Sequence, residues 1–563
     1  MGYDVTDAGR YALCRELDEF LSLERRRMSD SRPFTGRVGV LEVARRLDMY
    51  FLEESWKGED GFREPRASCY RYGWNGAISF LVDEDCRRIG APLFVSTPES
   101  QRTADQFLVN CGYLERLQQL VELAKHDLAD ITRALQRTYV FTPARQEWGV
   151  EAVEASDFFW VSDLVRLHDS SLRLSLEASS PRIRERMGRR VEPWRCHYIR
   201  YTTDPEIDAH YEKLGLLESR QMQGQDSFPG DVEIGGNEFN LYRAAVVVLI
   251  GWTMKHVDFC RILVGRDKRI ALHNILSIFT PMQVLVSNLA IALEVPEDVT
   301  SCALGALTLT LDNRDLHCRI PCGPATPLIE IGEGQALRSV TGLLTTPFYF
   351  LLRELRRRYP RDWDKAVNGR ETVFRNELCK LFPGERFVKA DRAIVIRRGG
   401  ETVTDIDAAV IDKETGTVGL FQLKWQEPFG MSLKERQSRM QNLESRSVEW
   451  IDAIAGWLEE TQNQGLAKLI GIKQDLSARV GIVRLFVIGR NFAHFSGVKN
   501  DDRAAWGTWP RILRLFAEEY DRSDPIERLY RHLRENPPAN DAARTFDEES
   551  FSIRDIRVVV NRC

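Results

Sequence analysis

The chain has 563 residues, of which 43% are hydrophobic and 29% charged, with a formal net charge of −5. That length is too great for a single core and fits roughly three or four domains, and the balance of apolar and charged residues excludes a disordered chain. The small negative charge excludes a global positive field that would draw the protein onto nucleic acid, so any such binding must rest on local patches.

The opening residues, MGYDVTDAGRYALCRELDEF, mix acids with bases and hold no apolar stretch ahead of a small-residue cleavage site, so no secretory signal is expected. Gly2 and Thr6 fit the short myristoylation pattern, but no polybasic second anchor follows, and the match is read as incidental. The default location is then cytoplasmic. Residues 1–150 read as a mainly helical domain. GRVGVLEVARRLDMYFLEESW has helical periodicity, and LERLQQLVELAKHDLADITRAL predicts one long amphipathic helix with a stripe of Leu114, Leu117, Leu120, Leu123 and Leu128. Between them, ISFLVDEDCRRIGAPLFVSTP is rich in β-branched and aromatic residues with turn signals and predicts a small strand pair.

Residues 151–345 read as a second helical domain, a sensor or targeting module. Its helices are EFNLYRAAVVVLIGWTMKHVDFCRILV and HNILSIFTPMQVLVSNLAIAL, with breaks at GQDSFPGDVEIGGNEF and PCGPATPLIEIGEGQ. The apolar run Ala244–Met254 is about half of the roughly 20 residues a spanning helix needs, so a buried helix and no membrane contact are expected. The segment Pro181–Arg200, PRIRERMGRRVEPWRCHYIR, carries seven arginines against two glutamates, with Trp194 and Tyr198 interleaved. Cations beside aromatics suit a surface that tracks a nucleic-acid backbone and stacks bases, which makes Arg189, Arg190 and Trp194 candidate contacts. The alternative is arginines paired to acids elsewhere in the fold.

Eleven cysteines without regular spacing do not form a disulfide framework. His317, Cys318 and Cys322 lack the second ligand pair that structural zinc needs, and His256 with Cys260, four apart on a helix, fit core packing better than a metal. No phosphate-binding P-loop, nucleophile-elbow serine or metalloprotease histidine motif is present.

After about Thr345 the pattern becomes α/β, with a third domain over 346–535 and a linker with one terminal strand over 536–563. Within it, TDIDAAVIDKETGTVGLFQLKWQEP spans Thr404–Pro428 and reads as a hairpin of two apolar strands around a DKETGT turn. Strand alternation places Asp405, Asp407, Ala409 and Ile411 on one face of the first strand, and Leu420, Gln422 and Lys424 on one face of the second. A pairing register that brings the embedded carboxylate to the Gln-x-Lys pair would suit a phosphodiesterase, which needs a hard cation held by one or two carboxylates and a lysine near the phosphate.

These residues resemble the PD-(D/E)xK superfamily, the restriction-endonuclease-like nucleases. The pattern runs in order through a helix with an acid (NGRETVFRNELCKLF), the Asp strand (TDIDAAV), the Gln-x-Lys strand (LFQLKW), a helix (SLKERQSRMQNLESRSVEWIDAIAGWLEE) and a further strand (VGIVRLFVIGR). It covers about 370 to 490. The resemblance implies Asp407 as principal metal ligand, Gln422 at the second ligand position, the Leu423 carbonyl as a further ligand, and Lys424 as the catalytic lysine. Gln422 departs from the commoner acid; the Gln form resembles the Mrr-type branch. For the helix acid, Glu371 shares a face with Phe374 and Leu378 and is expected to point inward, with Glu377 roughly 120° away as the alternative. Lys434, Arg436 and Arg439 on the following helix are candidate contacts to phosphates and base edges, the alternative being a solvated helix face.

The implied whole is an α+β multidomain protein with a largely helical N-terminal portion and a restriction-endonuclease-like domain built on a mixed central sheet. Its implied activity is Mg²⁺-dependent cleavage of DNA, more than RNA, in restriction or anti-phage defence, with Mn²⁺ as a substitute and a homodimer supplying two active sites. Two rivals stand beside it: a catalytically inactive nucleic-acid-binding scaffold, and an effector held silent by a regulatory ligand or protein at its helical half.

Overall fold

The computed structural model describes residues 7–34, 36–57, 65–84, 93–135, 137–143, 169–320, 323–332, 334–427, 432–469, 481–518, 523–538 and 549–561, with single residues and pairs between 150 and 168. The fold mixes helices with several sheets, two of them four-stranded and one five-stranded.

The N-terminal region is built on helices Asp7–Asp30, Gly36–Lys57, Pro65–Leu81 and Pro98–Lys125. The last two cross at Gly73 and Gly112, where an added Cβ would lie 2.0 Å from the Leu108 carbonyl oxygen and 2.2 Å from that of Cys69. Where a strand pair is expected around residues 78–98, Ile78 and Leu81 belong to a helix and are buried in the core, and residues 93–97 are irregular up to the Thr97 N-cap. Helical burial outweighs β-propensity there. The central part of that expected segment, residues 85–92, lies outside the described residues. The long helix expected through Leu128 stops at Lys125, because Asp127 takes a left-handed conformation (φ 60°) and the chain turns into strand Ala129–Leu135.

That strand pairs with Thr138–Pro143, which in turn runs parallel to Ile556–Val560. The expected single terminal strand is a hairpin, Glu549–Ile553 with Ile556–Val560, turned at Arg554 (φ 55°). Strands of the N-terminal region and the C-terminal hairpin therefore share one sheet, over a core of Leu17, Leu117, Phe141 and Val558.

The middle region centres on helix Phe239–Arg266, which contains the apolar run Ala244–Met254. Among the described residues no helix is long and apolar enough to cross a membrane. HNILSIFTPMQVLVSNLAIAL forms a short helix, strand Ile278–Pro281 and helix Met282–Leu293 in place of one helix. The expected boundaries at 150 and 345 are crossed by shared cores. One joins Val40, Trp74 and Phe107 to Leu309, Leu337 and Phe350, and another joins Phe239 and Leu249 to Phe348 and Trp363. Buried Asp48 completes the tie, accepting from Ser277 Oγ at 2.7 Å and from the Thr341 amide at 2.8 Å.

The C-terminal region holds the five-stranded sheet, in the order Phe387–Lys389, Ala408–Asp412, Val418–Lys424, Val483–Gly489, Ala504–Thr508. The first two pairings are antiparallel and the last two parallel. Helix Leu433–Leu469 covers one face, placing Leu443, Trp450 and Ile454 against Ala409, Leu420 and Val487. Helices Pro360–Lys380, Trp509–Glu518 and Pro525–Glu535 cover the other, placing Phe374, Ile512 and Leu529 against Val410, Phe421 and Phe486. Cover on both faces explains why VGLFQL is apolar at nearly every position: a strand buried on two sides has no solvent face to alternate with.

Candidate active site at the end of the central hairpin

The strand expected to run unbroken through TDIDAAVI is divided at Asp407. Before it, Glu401–Ile406 pairs with Ile394–Arg398 in a separate two-stranded ribbon; after it, Ala408–Asp412 enters the main sheet. Ladder bonds missing at the division are replaced by side chains: Trp450 Nε1 donates to the Asp405 carbonyl at 2.7 Å, and Arg375 Nε donates to the Asp407 carbonyl. Both indole and guanidinium come from the helices that sandwich the sheet, so the break is fixed from both faces.

The register Ala408 to Phe421 and Ala409 to Leu420 brings Asp407 opposite Gln422, on the face expected from strand alternation. Asp407 is 1% exposed. Its Oδ2 accepts from the Leu423 amide at 2.6 Å and from Gln422 Nε2. Burial pushes the Asp407 carboxyl up to about 6. The Leu423 amide opposes that rise, the Glu371 carboxylate adds to it, Lys424 opposes it and Asp405 adds to it. Asp407, Glu371, Asp405 and Lys424 thus lie within electrostatic reach of one another at one end of the sheet. Burial together with like charge is what raises a carboxyl pKa in functional clefts.

Of the two helix acids, Glu371 is the one felt by Asp407, whereas Glu377 is engaged by Arg490. Glu371 does not point inward as expected. It is exposed, and the inward place on that turn of the helix is taken by Arg370, buried to 1% exposure. The three to four residue stripe of Phe374 and Leu378 admits either neighbour, and the aromatic pocket of Phe228 and Trp363 selects the guanidinium. Lys424 is half-buried at the end of its strand.

The donor set is two carboxylates, a neutral amide and backbone oxygen. Hard oxygen donors in small number suit Mg²⁺, which keeps several waters and takes further oxygens from a phosphate. Among the described residues no group of three or more His, Cys, Asp or Glu side chains is arranged to hold a metal, so a cation here would depend on Asp407, Glu371 and neutral oxygens. The contact seen for Leu423 is through its amide nitrogen. The zinc-like residues are engaged elsewhere: His317 stacks on Phe350 and bonds Glu354 at 3.1 Å, while Cys322 lies outside the described residues. His256 bonds Tyr201 and the Ile275 and Leu276 carbonyls as a core residue.

The candidate nucleic-acid contacts divide sharply. Lys434 is exposed. Arg436 is buried, over the Phe495 ring, and donates to the Ser496 carbonyl, so its place is in the core and not on a docking surface. Arg439 pairs with Glu427 at 3.0 Å. In the basic segment, Arg190 pairs with Asp204 at 2.9 Å, Arg189 with Glu185, and Arg186 with Asp204, while the guanidinium of Arg195 covers the Trp194 ring at 4.5 Å. The reading of arginines paired to acids describes this segment.

Sequence reasoning missed Arg370, Arg375, Trp425, Glu427 and Arg490. Trp425 lies between two guanidinium groups, Arg490 at 4.4 Å and Arg370 at 5.7 Å from its ring centre. The available signal was a Trp and a Glu directly after the lysine, and two arginines at interior positions of the acid helix.

No family model matches the chain. Neither a curated protein nor a solved structure matches it.

Proposed function

We propose that the protein is a metal-dependent endonuclease that hydrolyses phosphodiester bonds of DNA, in restriction or anti-phage defence, through a restriction-endonuclease-like domain of the PD-(D/E)xK type. The observation that carries this reading is Asp407: a carboxyl buried at a strand break, fixed by Leu423 and Gln422, with Glu371 and Lys424 beside it. Asp407 is desolvated with the exposed Glu371 carboxylate as an electrostatic neighbour, an arrangement of like charge that a divalent cation would relieve. The order of elements supports it too: acid helix, Asp strand, Gln-x-Lys strand, helix, and a further strand parallel to the Lys strand.

In this reading Asp407 and Glu371 hold Mg²⁺, with Gln422 and the Leu423 backbone completing the site. Bound there, the cation supplies neutralisation of charge that develops on the phosphate. Gln422 Nε2 and the Leu423 amide hold Asp407 Oδ2 in place, and Arg375 holds its carbonyl, so the ligand is preorganised. Lys424 extends from the half-buried strand end toward the same corner, where its ammonium stabilises the phosphate oxygens and orients the attacking water. The test is a cleavage assay on plasmid, linear and single-stranded DNA and on RNA with Mg²⁺ or Mn²⁺. Metal-dependent cutting lost in both Asp407→Ala and Lys424→Ala is expected; cutting retained in Asp407→Ala overturns the assignment.

One observation favours the reading of an effector controlled by its helical half. Residues 226–228 of the middle region sit against Arg370 and Arg490, at the edge of the candidate site.

A further inference from the structure

Two arginines tie the candidate site to the middle region. Arg370 directly precedes Glu371 on the acid helix. Its Nε donates to the Ser227 carbonyl at 2.9 Å, its guanidinium lies 4.0 Å from the Phe228 ring centre, and Nη1 pairs with Glu427 at 2.5 Å. Arg490 follows the strand that runs parallel to the Lys strand, and its amide donates to the Lys424 carbonyl at 2.8 Å. Its side chain stacks on Trp425, pairs with Glu377 of the acid helix and reaches Asp226 at 2.8 Å. Glu371 and Lys424 therefore each have an arginine at their backbone, and the two arginines reach adjacent residues of the middle region, Arg370 to Ser227 and Phe228 and Arg490 to Asp226.

The two kinds of contact differ in strength. Glu377 and Glu427 already neutralise Arg490 and Arg370 within the C-terminal region, so the local fold does not require Asp226. Asp226 has half its side chain exposed, and an ion pair so placed contributes little to stability. Such a contact is weak enough to break and is well placed to be felt, because it acts on Trp425 and on the end of the Lys strand. Phe228, in contrast, is buried in the core that the middle region shares with the acid helix, against Phe239 and Trp363, so any shift of that core is passed to Arg370.

We propose that Asp226–Phe228 is a clasp by which the middle region positions Glu371 and Lys424 through Arg370, Trp425 and Arg490, so that contact between the two regions sets the activity of the site. The proposal rests on the nuclease reading for its kinetic consequence and on the hydrogen-bond geometry alone for its structural one. Asp226 and Arg490 are positioning residues; neither touches the reacting atoms.

The experiment uses the full chain with Asp226→Ala, Asp226→Glu and Asp407→Ala, measuring DNA cleavage with Mg²⁺ and amide hydrogen exchange at Lys424–Gln426. Displacing a catalytic group by a fraction of an ångström costs roughly tenfold to a hundredfold in rate. The expected result for Asp226→Ala is a kcat lowered about tenfold with KM unchanged, about tenfold faster exchange at Lys424–Gln426, and recovery of both in Asp226→Glu. Unchanged kcat in Asp226→Ala beside an inactive Asp407→Ala overturns the clasp and leaves the nuclease reading standing. Unchanged exchange at Lys424–Gln426 overturns the clasp whatever the cleavage assay shows. Cleavage by Asp407→Ala as fast as wild type overturns the nuclease reading, and the exchange measurement then decides the clasp by itself.

Discussion

The basic segment Pro181–Arg200 and the hairpin Thr404–Pro428 both stand out from the sequence by charge, and the fold treats them in opposite ways. In the basic segment, Arg186, Arg189, Arg190 and Arg200 each lie against an acid, at sites open enough to water that the pairs cost and gain little. At the hairpin the charge is not matched: Asp407 is buried with Glu371 and Asp405 as electrostatic neighbours, and Lys424 only partly offsets them. Density of charge in sequence is therefore a poor guide to function here. Charge that the fold has desolvated beside like charge is a better one, because burial and like-charge neighbours are the means by which functional clefts shift a carboxyl pKa.

The sharpest way to break that comparison is at the hairpin itself. On the proposed function, Asp407→Ala or Lys424→Ala should lower cleavage by about a thousandfold or more, since the proposed metal ligand and the adjacent cation would act on the same transition state; steady-state assays against wild type give the ratio. Next in size, Glu371→Gln should raise the Mg²⁺ concentration needed for half-maximal cleavage by roughly tenfold, while Glu377→Gln leaves it within about twofold, because Glu377 is committed to Arg490.

A smaller effect separates stability from activity. The folded-state pKa of Asp407 is raised from 3.8 to about 6, so the folded protein binds this proton more tightly than the unfolded chain does. The stabilisation is full below about pH 4 and is lost as pH rises through about 6. Asp407→Asn keeps an acceptor for Leu423 and Gln422 but carries no charge. It should therefore be more stable than wild type by about 3 kcal/mol at neutral pH, with the difference closing between about pH 6 and pH 4. Denaturant unfolding across that range checks both sign and window, in an otherwise inactive protein. The smallest effect belongs to the other side of the comparison: Arg189→Ala with Arg190→Ala should change DNA affinity by less than about twofold and stability by less than about 1 kcal/mol, as read by fluorescence anisotropy and thermal melting. A tenfold loss of affinity would mean that these ion pairs open to receive phosphate.

Much of the C-terminal architecture was legible because its signals are local. Alternation in VGLFQLK, the glycine turn at Gly416 and the periodicity of the helices on either side are properties of neighbouring residues; they assigned Asp407 and Gln422 to faces of adjacent strands, and the fold supplied the register that sets them opposite. The strand break at Asp407 was not legible, since it depends on Trp450 and Arg375, each more than thirty residues from the bond it makes. The same reason explains the exchange of inward and outward positions between Arg370 and Glu371: helical spacing defines a stripe, and only Phe228 and Trp363, brought from elsewhere, decide which edge of it is buried.

By itself, then, the sequence determined most of the helices, the central hairpin and the order of the acid, Gln and Lys residues along it, all of which follow from the periodicity and composition of contiguous residues. Only the tertiary structure decided which charges are neutralised, that Arg436 is buried, that strands of the N-terminal region share a sheet with the C-terminal hairpin, and that residues 226–228 reach the candidate site. Those outcomes turn on desolvation and on partners distant in sequence, and the energy of a charge depends far more on what the fold places around it than on the residues beside it in the chain.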